Sequence, residues 1–160
     1  MSRTIVVGYG NIDRADDGVA YEVINTLRQR LGQELLSEGD TGLEGMGAEV
    51  DSIFLIQLMP EIMEVLIDYD QIIFVDAHAG ANTNDLNCIP VTPEYVSSTF
   101  THHMSPASLL AFLKLLYNRE PAGHIVSLKG NDFDFKRMLS DSTRILIPAA
   151  VEKILKLLDR

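Results

Sequence analysis

Three stretches of this 160-residue chain carry residues whose types and spacing could do chemistry. The first is Gly8-Tyr9-Gly10-Asn11, followed by Asp16-Asp17-Gly18. The glycines allow a tight turn and close backbone approach. The paired carboxylates suit a cation, and equally they suit a helix N-terminus, where the macrodipole favours negative charge. A dinucleotide site fits poorly: the third glycine of G-x-G-x-x-G would fall on Asp13, and Asp16 and Asp17 would repel a pyrophosphate. The second stretch is Gln71-Ile72-Ile73-Phe74-Val75-Asp76, an apolar run ending in an acid and followed by Ala77-His78-Ala79-Gly80. Asp76 could be a turn residue making local hydrogen bonds, or a metal ligand. His78 reads as a structural or supporting group more readily than as a ligand. The third is Thr101-His102-His103-Met104-Ser105-Pro106, just before a helical pattern. Adjacent loop histidines are often simply solvated. If two carboxylates and an imidazole from these separate loops converge, they make an open site for a borderline transition metal such as zinc or nickel.

Other chemistries find little support. No serine sits in a G-x-S-x-G elbow. Cys88 falls inside an expected strand and reads as a small core residue. There is no H-E-x-x-H and no Cys/His spacing of a zinc finger.

The elements that must position these residues follow from periodicity. Short β-branched runs alternate with helical periods, which predicts an α/β fold with a largely parallel sheet. Expected strands cover Thr4 to Gly8, Val50 to Leu55, Gln71 to Asp76, Cys88 to Val91 and His124 to Leu128. Pro90 marks the fourth as an edge. Ala20, Val23, Ile24, Leu27 and Leu31 fall on one helical face. Ser37 to Gly47 reads as a loop, and Pro60 suits the first turn of a helix carrying Ile62, Val65 and Leu66. Ser105-Pro106 looks like an N-cap with proline at N1, opening a helix whose expected buried stripe is Leu109, Phe112, Leu113 and Leu116. Pro148 opens a final helix with Val151, Ile154, Leu155 and Leu158 inward. In such sheets function gathers beyond the C-terminal strand ends, and the three stretches are expected there.

Composition narrows the class further. The length fits one domain, residues 1–160, with a sizeable core. A net charge of −10 without a Lys/Arg cluster argues against nucleic acid and favours a basic partner, if any. No apolar run approaches the roughly 20 residues of a membrane helix. The start of the chain does not read as a signal peptide, and one cysteine builds no disulfide framework. A cytoplasmic protein without membrane contact is expected.

In this order, the three stretches resemble the hydrogenase maturation protease family. The resemblance is carried by Ile5-Val6-Val7-Gly8-Tyr9-Gly10-Asn11 with Asp16-Asp17-Gly18, by Phe74-Val75-Asp76-Ala77, and by His102-His103-Met104-Ser105-Pro106-Ala107-Ser108-Leu109-Leu110. Gln57-Leu58-Met59-Pro60-Glu61, Ile125 to Gly130 and Leu139-Ser140 extend it over nearly the whole chain. The resemblance implies a three-layer α/β/α sandwich around a mixed, mostly parallel sheet. It implies an endopeptidase that removes the C-terminal extension of a nickel–iron hydrogenase large-subunit precursor. It also implies that Asp17, Asp76 and His102 contact a metal and carry catalysis. The nickel would arrive inside the precursor, and other divalent ions, zinc or cadmium, could occupy the same ligands. The motif register selects His102 over His103, and Asp16 then reads as a helix cap or supporting group. Three features depart from the family pattern: Asp17 where Glu is common, His78 where a small or apolar residue is usual, and the form of the Ser37–Gly47 loop. The rival readings are a receiver-like acidic-pocket switch using Asp16, Asp17, Asp76 and Lys129, a non-catalytic nickel- and precursor-binding assembly factor, and a generic small α/β hydrolase or phosphorylase.

Overall fold

The structure, a computed structural model, describes residues 2–80, 84–95 and 104–159. Among these residues the apolar runs form five strands: β1 (Thr4–Tyr9), β2 (Val50–Leu55), β3 (Gln71–His78), β4 (Leu86–Pro90) and β5 (Ala122–Lys129). They make one sheet in the order β2-β1-β3-β5-β4. The first three and β5 pair in parallel, and β4 runs antiparallel along β5. Central β3 is buried on both faces from Gln71 to Val75, which is why Ile72 to Val75 is continuously apolar rather than alternating. Pro90 ends the outer strand, where a missing N–H does no harm.

Among the described residues, five helices flank the sheet: α1 (Val19–Arg30), the short α2 (Met63–Leu66), α3 (Pro106–Tyr117), the short α4 (Asp141–Arg144) and α5 (Ile147–Leu158). Alternate strand residues divide between two cores. Val6, Ile73, Val75, Val126 and Leu128 pack with α1 and α5. Ile5, Val7, Ile72 and Phe74 pack with α2 and α3. The result is the three-layer α/β/α arrangement. No helix among the described residues is long and apolar enough to cross a membrane.

The edge at β2 is partly closed by side chains and a loop, which limits unwanted strand pairing. Arg28 donates to the Ser52 carbonyl at 2.7 Å, Gln33 donates to the Val50 carbonyl at 2.9 Å, and Phe54 N–H donates to the Thr41 carbonyl at 3.0 Å.

Ser105 does cap α3: its hydroxyl accepts from the Ser108 N–H at 3.1 Å, with Pro106 following. The expected stripe on this helix needs one correction. Leu116 is 60% exposed, whereas Leu110 is 2% exposed and joins Leu109 and Leu113 in the core. Gly123 on β5 explains the gain, because a Cβ there would stand 2.5 Å from the Leu110 Cδ1; the glycine leaves room for that leucine. Leu116 shares the face of Leu109 but sits in the last turn, where the sheet no longer covers it. Pro60 also opens less helix than expected. It begins a 3₁₀ turn, Pro60–Ile62, that runs into only four residues of α2.

Candidate active site

Strand register brings the first two chemical residues together. Gly8 pairs with Val75, so Tyr9 and Asp76 are the next neighbours across β1 and β3. Both lie on the α3 face of the sheet by alternation. They line one pocket of about 370 Å³ with Asp17, Gly10, Asn11 and Met104. The pocket opens at the C-terminal ends of β1 and β3, where a parallel sheet exposes its strand-end loops.

Each carboxylate is held by backbone. The Asp76 Oδ1 accepts from the Ala77 N–H at 2.7 Å. Burial pushes the Asp76 carboxyl up to about 6; the Ala77 N–H and the Tyr9 hydroxyl pull it down, and the nearby Asp17 charge adds to the rise. Tyr9 is itself raised, by burial first and then by the Asp76 charge. The Asp17 Oδ2 accepts from the Asn11 N–H at 2.8 Å, which folds the Gly10–Asn11 turn against the acid. Gly10 makes this possible: its φ is +148°, and a Cβ there would stand 2.0 Å from the Asp17 carbonyl oxygen. Gly10→Ala is therefore expected to displace Asp17, to cost at least ~2 kcal/mol, and to remove most activity. Unfolding curves and a processing assay check this, and wild-type values for both would refute it.

The neighbouring acid has a different job. Asp16 is fully buried. Its carboxylate accepts from the N–H groups of Asn131, Asp132 and Ser140 at 2.8, 2.9 and 2.8 Å and from the Ser140 hydroxyl at 2.7 Å. The Thr143 hydroxyl lies 2.9 Å from both Asp16 and the Lys129 carbonyl, so its one proton serves either. Asp16 thus pins the 130–140 loop over the start of the chain's first helical turn. Neither acid caps α1 or the 3₁₀ turn Ala15–Gly18 that leads into it, since no side chain caps either. Asp16 is a supporting group, and helix capping is excluded. This also counts against the acidic-pocket switch, which needs Asp16 facing a shared cation. The adjacent Ala15 holds φ 49°, a left-handed conformation costing about 1–2 kcal/mol. The loop clamps it there through an Ala15 N–H to Lys136 carbonyl bond of 2.8 Å.

His78 turns to internal partners. Its Nδ1 lies 2.8 Å from the Ser127 hydroxyl and its Nε2 lies 2.7 Å from the Asn84 carbonyl. The Nε2 must donate to that carbonyl, and Asn87 donates to the Ser127 oxygen at 3.3 Å. With Ser127 then donating to Nδ1, both ring nitrogens are engaged within the protein. His78 links β3 to the start of β4. Cys88 lies half-buried in β4.

His102 and His103 lie outside the described residues. Met104, the next residue, lines the pocket, and its N–H donates to the Leu58 carbonyl at 3.3 Å. Among the described residues no group of three His, Cys, Asp or Glu could hold a metal. What those residues supply is a pair of carboxylates.

Sequence reasoning did not single out Tyr9 or Arg14. Alternation along β1 together with the register to β3 would have found Tyr9. Arg14 lines the pocket while its guanidinium donates to the Phe133 carbonyl at 3.2 and 3.3 Å and sits 5.3 Å from the Phe135 ring centre. Nothing in its sequence context signalled that contact.

Sheet order, layers and strand-end pocket give the chain the fold of the hydrogenase maturation endopeptidases. Over 98% of this chain and 92% of the other, it superposes on the hydrogenase maturating endopeptidase HybD from Escherichia coli with a TM-score of 0.72 and 20% identity. The nickel–iron hydrogenase maturation protease HybD from Thermococcus kodakarensis gives a TM-score of 0.62 at 17% identity, covering 97% of this chain and 98% of that one. In sequence, the chain is 27% identical over 154 residues to a Methanocaldococcus jannaschii protein provisionally named a hydrogenase maturation protease, covering 94% of this chain and 93% of the other. No family model matches. The resemblance read from the motifs is thus also a likeness over the whole chain in sequence and in fold.

Proposed function

We propose that this chain is a cytoplasmic endopeptidase that removes the C-terminal extension of a nickel-loaded nickel–iron hydrogenase large-subunit precursor. The observation carrying the reading is that Asp17 and Asp76, picked out by their motifs, line one pocket at the strand ends. Likeness to maturation endopeptidases over nearly the whole length supplies the reaction class.

In this reading the nickel is part of the substrate, and Asp17, Asp76 and His102 complete its coordination. The donor chemistry fits. A half-buried carboxylate pushed up to about 6 by burial and by a second acid gains from a divalent cation, which favours its ionised form. Zinc or cadmium would suit the same mixed oxygen and nitrogen set. Such a metal supplies polarisation of the scissile carbonyl or a lowered water pKa. The chain's own part is to aim its carboxylates: the Asn11 N–H orients Asp17, and the Ala77 N–H with the Tyr9 hydroxyl orients Asp76. Two carboxylates and one imidazole leave positions open for the substrate.

The test is processing of the precursor, nickel-loaded or nickel-free, read as the mass of the large-subunit product. Cleavage only with nickel supports the reading, and cleavage of neither form overturns it. His102→Ala is expected to lower processing at least 100-fold with an unchanged unfolding midpoint. A variant that processes fully would remove this histidine from the mechanism.

A further inference from the structure

Beside the candidate site lies a second, larger hollow of about 690 Å³. It shares Gly10, Asn11, Ile56 and Gln57 with the site pocket, so the two form one continuous depression. Its volume falls within the range of ordinary ligand clefts. The floor is apolar, formed by Phe54, Leu55 and Met59, and Ile56 at the junction is 76% exposed. Large apolar side chains left open beside a reactive pocket commonly mark a binding groove.

The groove is also charged on one side. Asp13, Glu38 and Asp40 line it with a single cation, Arg137. Arg137 is engaged by two of these acids, donating from Nε to Asp13 at 2.6 Å and from its terminal nitrogen to Glu38. Among the described residues no cation of the groove pairs with Asp40, whose Oδ2 accepts from the Ser37 N–H at 3.2 Å. The lining therefore carries an excess of negative charge, in keeping with the chain's net −10.

Resting on the endopeptidase reading, we infer that this groove is the specificity subsite for the polypeptide flanking the scissile bond: an extended segment that places an apolar side chain on Phe54 and Met59 and a basic side chain beside Asp40. Because the two hollows share Gly10, Asn11, Ile56 and Gln57, a segment entering the reactive pocket reaches this groove within a few residues. The charge excess selects a basic neighbour and disfavours an acidic one, because like charges brought together on desolvation cost affinity. An apolar anchor with a charged neighbour also sets the register of an extended chain, so the groove decides which peptide bond lies over Asp17 and Asp76.

The experiment measures binding apart from cleavage. Affinity of the nickel-loaded precursor for the wild-type protein is determined by calorimetry at low and moderate salt, together with the kinetic constants for processing. Met59→Glu is expected to weaken binding about 10-fold, and Met59→Leu to restore it. Asp40→Lys is expected to weaken binding about 5-fold and to reduce its dependence on salt. Unfolding midpoints confirm that each variant is folded. Unchanged affinity in both Met59→Glu and Asp40→Lys overturns the groove, whether or not the precursor is cut. Binding that is weakened by these changes, without cleavage by the wild-type protein, keeps the groove and removes the peptidase. No binding of the precursor by the wild-type protein overturns both.

Discussion

Changing Asp76 to asparagine is expected to abolish processing and, in the metal-free protein, to raise stability at pH 7.5 by roughly 1–3 kcal/mol. The opposite signs have one cause. In the native state burial pushes this carboxyl up to about 6, with Asp17 adding to the rise; in the unfolded chain it titrates near the ordinary ~3.9. Below about pH 4 both states are protonated and the group is neutral in the balance. Between about pH 4 and 6 the native state holds the proton more tightly, so stability falls as pH rises. Above about 6 the full cost of the buried charge is present, reduced from the nominal shift because the side chain keeps some contact with water. Asparagine removes the charge and keeps an oxygen to accept from the Ala77 N–H and the Tyr9 hydroxyl. Urea unfolding of both proteins at pH 4 and 7.5, with chelator, should show the difference opening only at the higher pH. An equal difference at both would remove the buried charge as its source. Processing by the variant at the wild-type rate would remove Asp76 from catalysis. The result matters beyond the residue: a buried carboxylate that costs stability when charged is a candidate functional group, and recovery of that stability on adding a divalent ion would support the proposed metal contact.

Much of the fold could be read from the chain because the two relevant periods are strong. Ile72 to Val75 is apolar at every position, as a strand buried on both faces requires. Ser105-Pro106 marked the start of α3 because both side chains have a local reason to sit there. Pro90 marked the outer strand for the reason found, a missing donor. Strand ends were less legible. β3 runs on to His78 and β5 spans Ala122 to Lys129, because a parallel neighbour continues to offer hydrogen bonds after the apolar pattern stops. Leu110 and Leu116 exchanged places because burial depends on what lies opposite, here Gly123, which helical periodicity cannot see. The site divided in the same way. Asp17 and Asp76 were legible from motif and strand end. Tyr9 needed the register between β1 and β3, and Arg14 needed the 130–140 loop, which reaches it from 119 residues away.

The acid pair shows most clearly what one residue of displacement does. Asp16 and Asp17 are chemically identical and adjacent, yet the 3₁₀ turn sends one inward and the other to the pocket. Asp16→Ala is therefore expected to cost about 3–5 kcal/mol, against about 1 kcal/mol for Asp17→Ala. Removing the Asp16 carboxylate orphans three partly buried backbone N–H groups, while the Ser140 hydroxyl falls back on Thr143 and Ser142. Asp17 loses one bond, from Asn11, at a partly open surface. Asp16→Asn should recover little, because its amide presents an NH₂ to a ring of donors. The pH dependence has the sign opposite to that of Asp76. Burial works to raise the Asp16 carboxyl, but the Asn131, Ser140 and Asp132 donors outweigh it and hold the group below the ordinary carboxylate range. Its stabilisation is present above the unfolded-state pKa and is lost as pH falls through the lower native value. Chemical denaturation of the two alanine variants, alongside their processing rates, separates the roles. Asp17→Ala should be folded and inactive. Asp16→Ala should unfold at much lower denaturant and lose activity in proportion to the unfolded fraction. Equal stability of the two variants would mean that the 130–140 loop holds without its anchor, and the division of labour between the acids would fall.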